Sequence, residues 1–337
     1  MDAESVTPRD KGTASEKLTP AGNGRARFPG ISYRAYEHPL ALAALVAMRK
    51  AKGFDVTLSA INRTVAEPII RMQFLASAVR VSPRQFGSLH AIKQEAVEIL
   101  DLDDAPELYV CNITDSNAFT MGMSRPFIVV TSGLLDLMDE RELRFVIGHE
   151  LGHVLSGHAL YHSMAHILAN STEFFTSIPF VGLAHKGIDA GLREWHRKSE
   201  LSCDRAGLLV AQDTAAATGA LMKLAAGSRA SDMDAEEFLQ QAAEFEFDIT
   251  GVKNRIFKLM LPRETHPILT LRATELDRWV RLGEYARIAE DREYQRRSED
   301  DQTSGRSAFK DARDKAKAAR VQRIADREQR RTGQAPG

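Results

Sequence analysis

Two histidines flanking a glutamate constrain this chain more than any other feature: His149-Glu150-Leu151-Gly152-His153 closes the apolar run Leu143-Arg144-Phe145-Val146-Ile147. On a helix, residues four apart share a face about one turn apart, so both imidazoles can converge on one ion. Zinc requires that convergence, because it binds imidazole nitrogen at about 2.0–2.1 Å. Glu150 is rotated by about 100° from His149. It can therefore act as a general base on a water at the metal without being a ligand. In a chain of this composition the pattern arises by chance about 0.02 times.

A catalytic zinc takes three protein ligands and keeps a fourth position open. One known arrangement uses a His six residues beyond the second, after a Gly three residues on. Those positions are Ala159 and Ser156, which excludes it. His158, His162 and His166 lie close by, but His158 projects roughly 140° away from His153 on an ideal helix. All three read as packing or surface residues. Glu200 is the better third ligand. In Trp195-His196-Arg197-Lys198-Ser199-Glu200-Leu201-Ser202-Cys203-Asp204, Glu200 and Asp204 are again four apart and can face a metal from a second helix. Asp204 would accept the outer N–H of a ligating histidine, fixing its tautomer and raising its basicity. Cys203 reads as a small buried side chain.

Together with Thr265-His266-Pro267 and Arg272, these motifs resemble the M48 family of gluzincin metallopeptidases, which includes the HtpX heat-shock proteases and the CAAX prenyl proteases. Asn117-Ala118-Phe119 is similar to the Asn-Ala-Phe/Tyr segment on that family's substrate-binding edge strand. The resemblance implies a zinc endopeptidase holding one Zn2+ per chain on His149, His153 and Glu200, with Glu150 as base. It implies further that Asp204 and Arg272 support the ligands and that His266 stabilises the oxyanion beside the catalytic water. Asn117, Ala118 and Phe119 would then receive protein or peptide substrates. A competing reading keeps the scaffold as a catalytically weak or inactive adaptor in protein quality control. The intact set of His149, Glu150, His153 and Glu200 argues against it, since an inert scaffold has no need of the base.

The rest of the chain frames this centre. Residues 1–32, rich in Gly, Pro, Ser and charge, are expected to form a disordered tail. Residues 33–289 form the metallopeptidase domain, and residues 290–337 a charged, basic C-terminal helix or tail. Residues 303–337 hold ten Lys/Arg against four Asp/Glu, a local net charge of +6. A helical run from Pro83 to Leu102 is expected to start at a Ser82/Gln85 capping box. Strands follow at 107–111, 117–121 and 126–130. Strands and then helices, without alternating units, predict an α+β fold with a small, mostly antiparallel sheet, and the resemblance implies a mostly helical zincin-type domain.

The net charge of -1 argues against a nucleic-acid partner, leaving at most a weak electrostatic contact of the basic tail. No run of about 20 apolar residues predicts an integral membrane segment. Two cysteines and the absence of an apolar leader predict a cytoplasmic protein, with room for peripheral membrane contact.

Overall fold

The computed structural model describes residues 24–41, 44, 66–122, 124–163, 181–248 and 269–300. The apolar runs between 107 and 131 pair into one sheet. Its strands are β1 (Val79–Arg80), β2 (Glu107–Cys111), β3 (Ala118–Met121) and β4 (Phe127–Thr131), in the spatial order β1-β2-β4-β3. The outer pairings are antiparallel, whereas β2 and β4 run parallel. All five residues of β4 are buried. Its unbroken Phe-Ile-Val-Val run is what a strand covered on both faces carries, in place of alternation.

One face of the sheet, with Leu108, Val110, Ala118, Ile128 and Val130, belongs to the main core. The other gathers Tyr109, Cys111, Met121, Phe127 and Val129 against Phe74 of helix α1 (Ala66–Ser77). Among the described residues β3 pairs with β4 alone, so it is an edge strand.

Helix α2 (Gly87–Ile99) starts four residues later than the sequence predicts. Ser82 and Gln85 do not form a capping box. Their main chains bond each other in both directions, at 2.9 and 3.0 Å, closing a turn, and Phe86 then enters the helix with a φ of 57°. After α3 (Ser132–Leu137), helix α4 (Glu140–Leu155) opens on a true capping box, with Asp139 and Glu142 each bonding the other's main-chain N–H. The long helix α5 (Val181–Ala211) follows, then α6 (Thr214–Ala226), α7 (Ala235–Asp248), α8 (Leu269–Arg281) and α9 (Glu284–Ala289). The α+β class holds, with the mixed sheet flanked by helices.

The most extensive packing between elements is that of α4 against α5. Small side chains line the crossing. A Cβ on Gly207 of α5 would lie 2.7 Å from the main-chain oxygen of Phe145 on α4. Only glycine lets the two backbones approach this closely.

The boundaries of the folded unit lie further out than composition suggests. Within the segment 1–32, expected to be disordered, Phe28 and Ile31 are fully buried. Ile31 bridges Arg296, and the Phe28 ring meets Tyr294 edge-on with centroids 5.9 Å apart. Thus residues 290–300, counted with the charged tail, fold back onto 28–32. Residues 1–23 and 301–337 lie outside the described residues. Among the described residues, no helix is long and apolar enough to cross a membrane.

Candidate metal centre

The crossing of α4 and α5 brings His149 and His153 to Glu200. The two imidazole Nε2 atoms are 3.2 Å apart. Glu200 Oε1 lies 3.2 Å from His153 Nε2, and Oε2 lies 3.4 Å from His149 Nε2. Two ring nitrogens and a carboxylate facing one point form a donor set that suits zinc. His149 is 4% exposed, His153 2% and Glu200 0%, so water does not screen their interactions.

A charged network stands behind these three. His149 Nδ1 donates to Asp204 Oδ1 at 2.9 Å, which fixes the ring with Nε2 toward Glu200. Arg272, from α8, donates to both Asp204 oxygens, at 2.8 and 2.6 Å, and its Nη1 lies 3.1 Å from Glu200 Oε2. Burial alone would raise both carboxyls, but the Arg272 guanidinium holds Asp204 below and Glu200 well below the usual carboxylate range. Burial opposes charge on His149 too, yet its bonds to Asp204 and Glu200 win and raise it to about 9.

Glu150 points elsewhere, as its position on the helix requires. The Thr120 hydroxyl on β3 donates to Glu150 Oε2 at 2.6 Å and lies 3.2 Å from its main-chain oxygen. Sequence reasoning missed Thr120. The available signal was its period-two relation to Ala118, since both side chains face the main core while Phe119 faces Phe74. Asn117, Ala118 and Phe119 therefore share no single face. What they share is the strand edge. Asn117 bonds inward to Thr131, and Gly122 bonds outward to Ser163, so alternation turns the peptide groups of Ala118 and Thr120 away from the sheet.

His158 differs from expectation. It does not project away from His153, because α4 ends at Leu155 and Gly157, with a φ of 71°, turns the chain back. His158 Nδ1 comes to 3.2 Å from His153 Nδ1 and 3.6 Å from the Cys203 sulfur. The His162 ring lies 4.4 Å from that of His153, and its Nε2 is 2.9 Å from His196 Nδ1. Burial and the neighbouring His153 hold His158 and His162 well below the ordinary histidine value. Cys203 is buried as expected, and burial pushes its thiol well up. His166 and the segment Thr265-His266-Pro267 lie outside the described residues, so the oxyanion role expected of His266 has no geometry attached to it.

Residues 83–280 match the profile of peptidase family M48. The chain is 34% identical over 263 residues to the plastoglobule-localized metallopeptidase 48, chloroplastic, of Arabidopsis thaliana, covering 77% of this chain and 76% of that protein. It is 32% identical over 159 residues to the protease HtpX homolog of Kineococcus radiotolerans, covering 47% of this chain and 51% of that protein. To the HtpX homolog of Fusobacterium nucleatum it is 34% identical over 84 residues, 24% of this chain and 27% of that protein. The chain thus spans about half, or less, of these HtpX homologs. No solved structure matches it significantly.

Proposed function

The chain belongs to peptidase family M48, and from that premise we propose that it is a zinc-dependent endopeptidase acting on protein or peptide substrates. The observation that carries the reading is the meeting of His149, His153 and Glu200 at one buried point, with Glu150 alongside on the same helix. In this reading those three residues hold one Zn2+ per chain. The ion, when bound, would polarise both a water and the scissile carbonyl.

The chain's own groups do the rest. Glu150 accepts the water's proton and passes it to the leaving amine, while the Thr120 hydroxyl orients its carboxylate. Asp204 keeps the outer nitrogen of His149 protonated and turns Nε2 toward Glu200, where it would ligate. An extended peptide adds to the edge of β3, where the peptide groups of Ala118 and Thr120 offer main-chain bonds. Asn117 and Phe119 shape the approach, and His266 stabilises the oxyanion. Cys111 and Cys203, both buried and free, agree with a reducing compartment such as the cytoplasm.

Glu150→Gln tests this reading. It should keep its zinc and lose about 10²–10⁴-fold in cleavage of casein or an unfolded protein. Cleavage at the wild-type rate, or a wild-type protein indifferent to chelator, would overturn it.

A further inference from the structure

Four buried or half-buried groups beside the proposed zinc have no part in that mechanism: His158, His162, His196 and Cys203. Two of them line up with Glu200. His162, carried back by the turn at Gly157, puts Nε2 at 2.9 Å from His196 Nδ1. His196 sits one turn before Glu200 on α5, and its Nδ1 is 3.7 Å from Glu200 Oε1. All three offer a ligand atom within 4.8 Å of one another. Two bonds of about 2.0–2.1 Å meeting at 90–110° hold their nitrogens about 2.9–3.4 Å apart. The His162–His196 separation is therefore that of two ligands on one ion.

We propose that His162, His196 and Glu200 form a second site for a zinc-class divalent cation, adjoining the first and sharing its carboxylate. The sharing makes the proposal rest on the reading of Glu200 as a ligand of the first ion. The His162 and His153 rings are 4.4 Å apart, so the two donor sets are neighbours. They differ in access. The His196 side chain is 25% exposed, whereas the first-site side chains are at most 5% exposed. The second ion exchanges readily with solvent and binds more weakly, because Glu200 already serves another cation. Its arrival draws Glu200 Oε1 from His153, so excess zinc inhibits the peptidase.

Equilibrium dialysis of the full chain against Co2+ or Zn2+, with metal counted by mass spectrometry, tests this. Wild type should hold two ions, the second lost on dilution. His162→Gln and His196→Gln should each hold one at the same free metal, with unchanged circular dichroism. His149→Ala should still bind one weak ion, which His149→Ala/His196→Gln loses; this pair keeps the test open if a single variant misfolds. A wild type holding one ion, or variants that keep the second, would overturn the second site alone and mean that His162 and His196 merely share a proton. A wild type that binds no metal would overturn both sites.

Discussion

Arg272 lets the carboxylates of this centre stay buried. With Glu200 at 0%, Asp204 at 1% and Arg272 at 3% exposure, two carboxylates and one guanidinium sit out of water together. Replacing Arg272 with Met leaves both acids without their cation, and breaking such a buried pair costs about 3–5 kcal/mol. Urea unfolding should show that loss; a variant within error of wild type would mean the network relaxes into solvent. His149 supplies a second test. Its pKa, about 9 when folded, lies above the ordinary value of 6.5. Its contribution to metal-free stability is thus complete below pH 6.5 and disappears as pH rises through 9. Metal must displace that proton, so zinc affinity should rise with pH up to about 9. Calorimetry at pH 7 in buffers of different ionisation enthalpy should count close to one proton released for the first ion bound; a count of zero refutes the assignment. The pairs His149/His153 and Glu200/Asp204 were legible in the sequence because helical period is a local property. Thr120 and His158 were not, because one depends on which way a strand faces and the other on where a helix stops.

Among the elements, the joint between α4 and α5 governs the centre, since each helix contributes half of it. Gly207→Ala forces a methyl against the Phe145 main chain, where no side chain can swing aside. We expect a stability loss of about 1–3 kcal/mol, together with weaker zinc binding as Glu200 moves off from His149 and His153. Weaker stability with unchanged metal affinity would show that the joint adjusts without moving the ligands. Asp139 and Glu142 close their capping box within four residues. Ser82 and Gln85 have the same spacing, but their main chains pair with each other, and nothing in the residue types separates the two outcomes. The two-residue β1 is likewise too short to leave a pattern.

For the whole molecule, the segments 28–32 and 292–300 act on each other. Ser32 Oγ donates to Asp300, Arg297 N–H donates to the Gly30 oxygen, and Arg292 lies over the Phe28 ring at 5.3 Å. A chain ending at residue 290 should therefore melt earlier and show faster amide exchange at Ile31 and Ser32. Exchange unchanged from the full chain would make this clasp incidental. Composition hid the clasp, because Phe28, Ile31 and Tyr294 are too sparse to register against the Gly, Pro and charge around them.

The Arg272 network also bears on how the protein handles scarcity. Arg272 sets one guanidinium against the two carboxylates, so part of the centre's charge is balanced by the chain itself. On the proposed reading, a chelator should then remove zinc and leave the fold standing, and reloading should need no refolding.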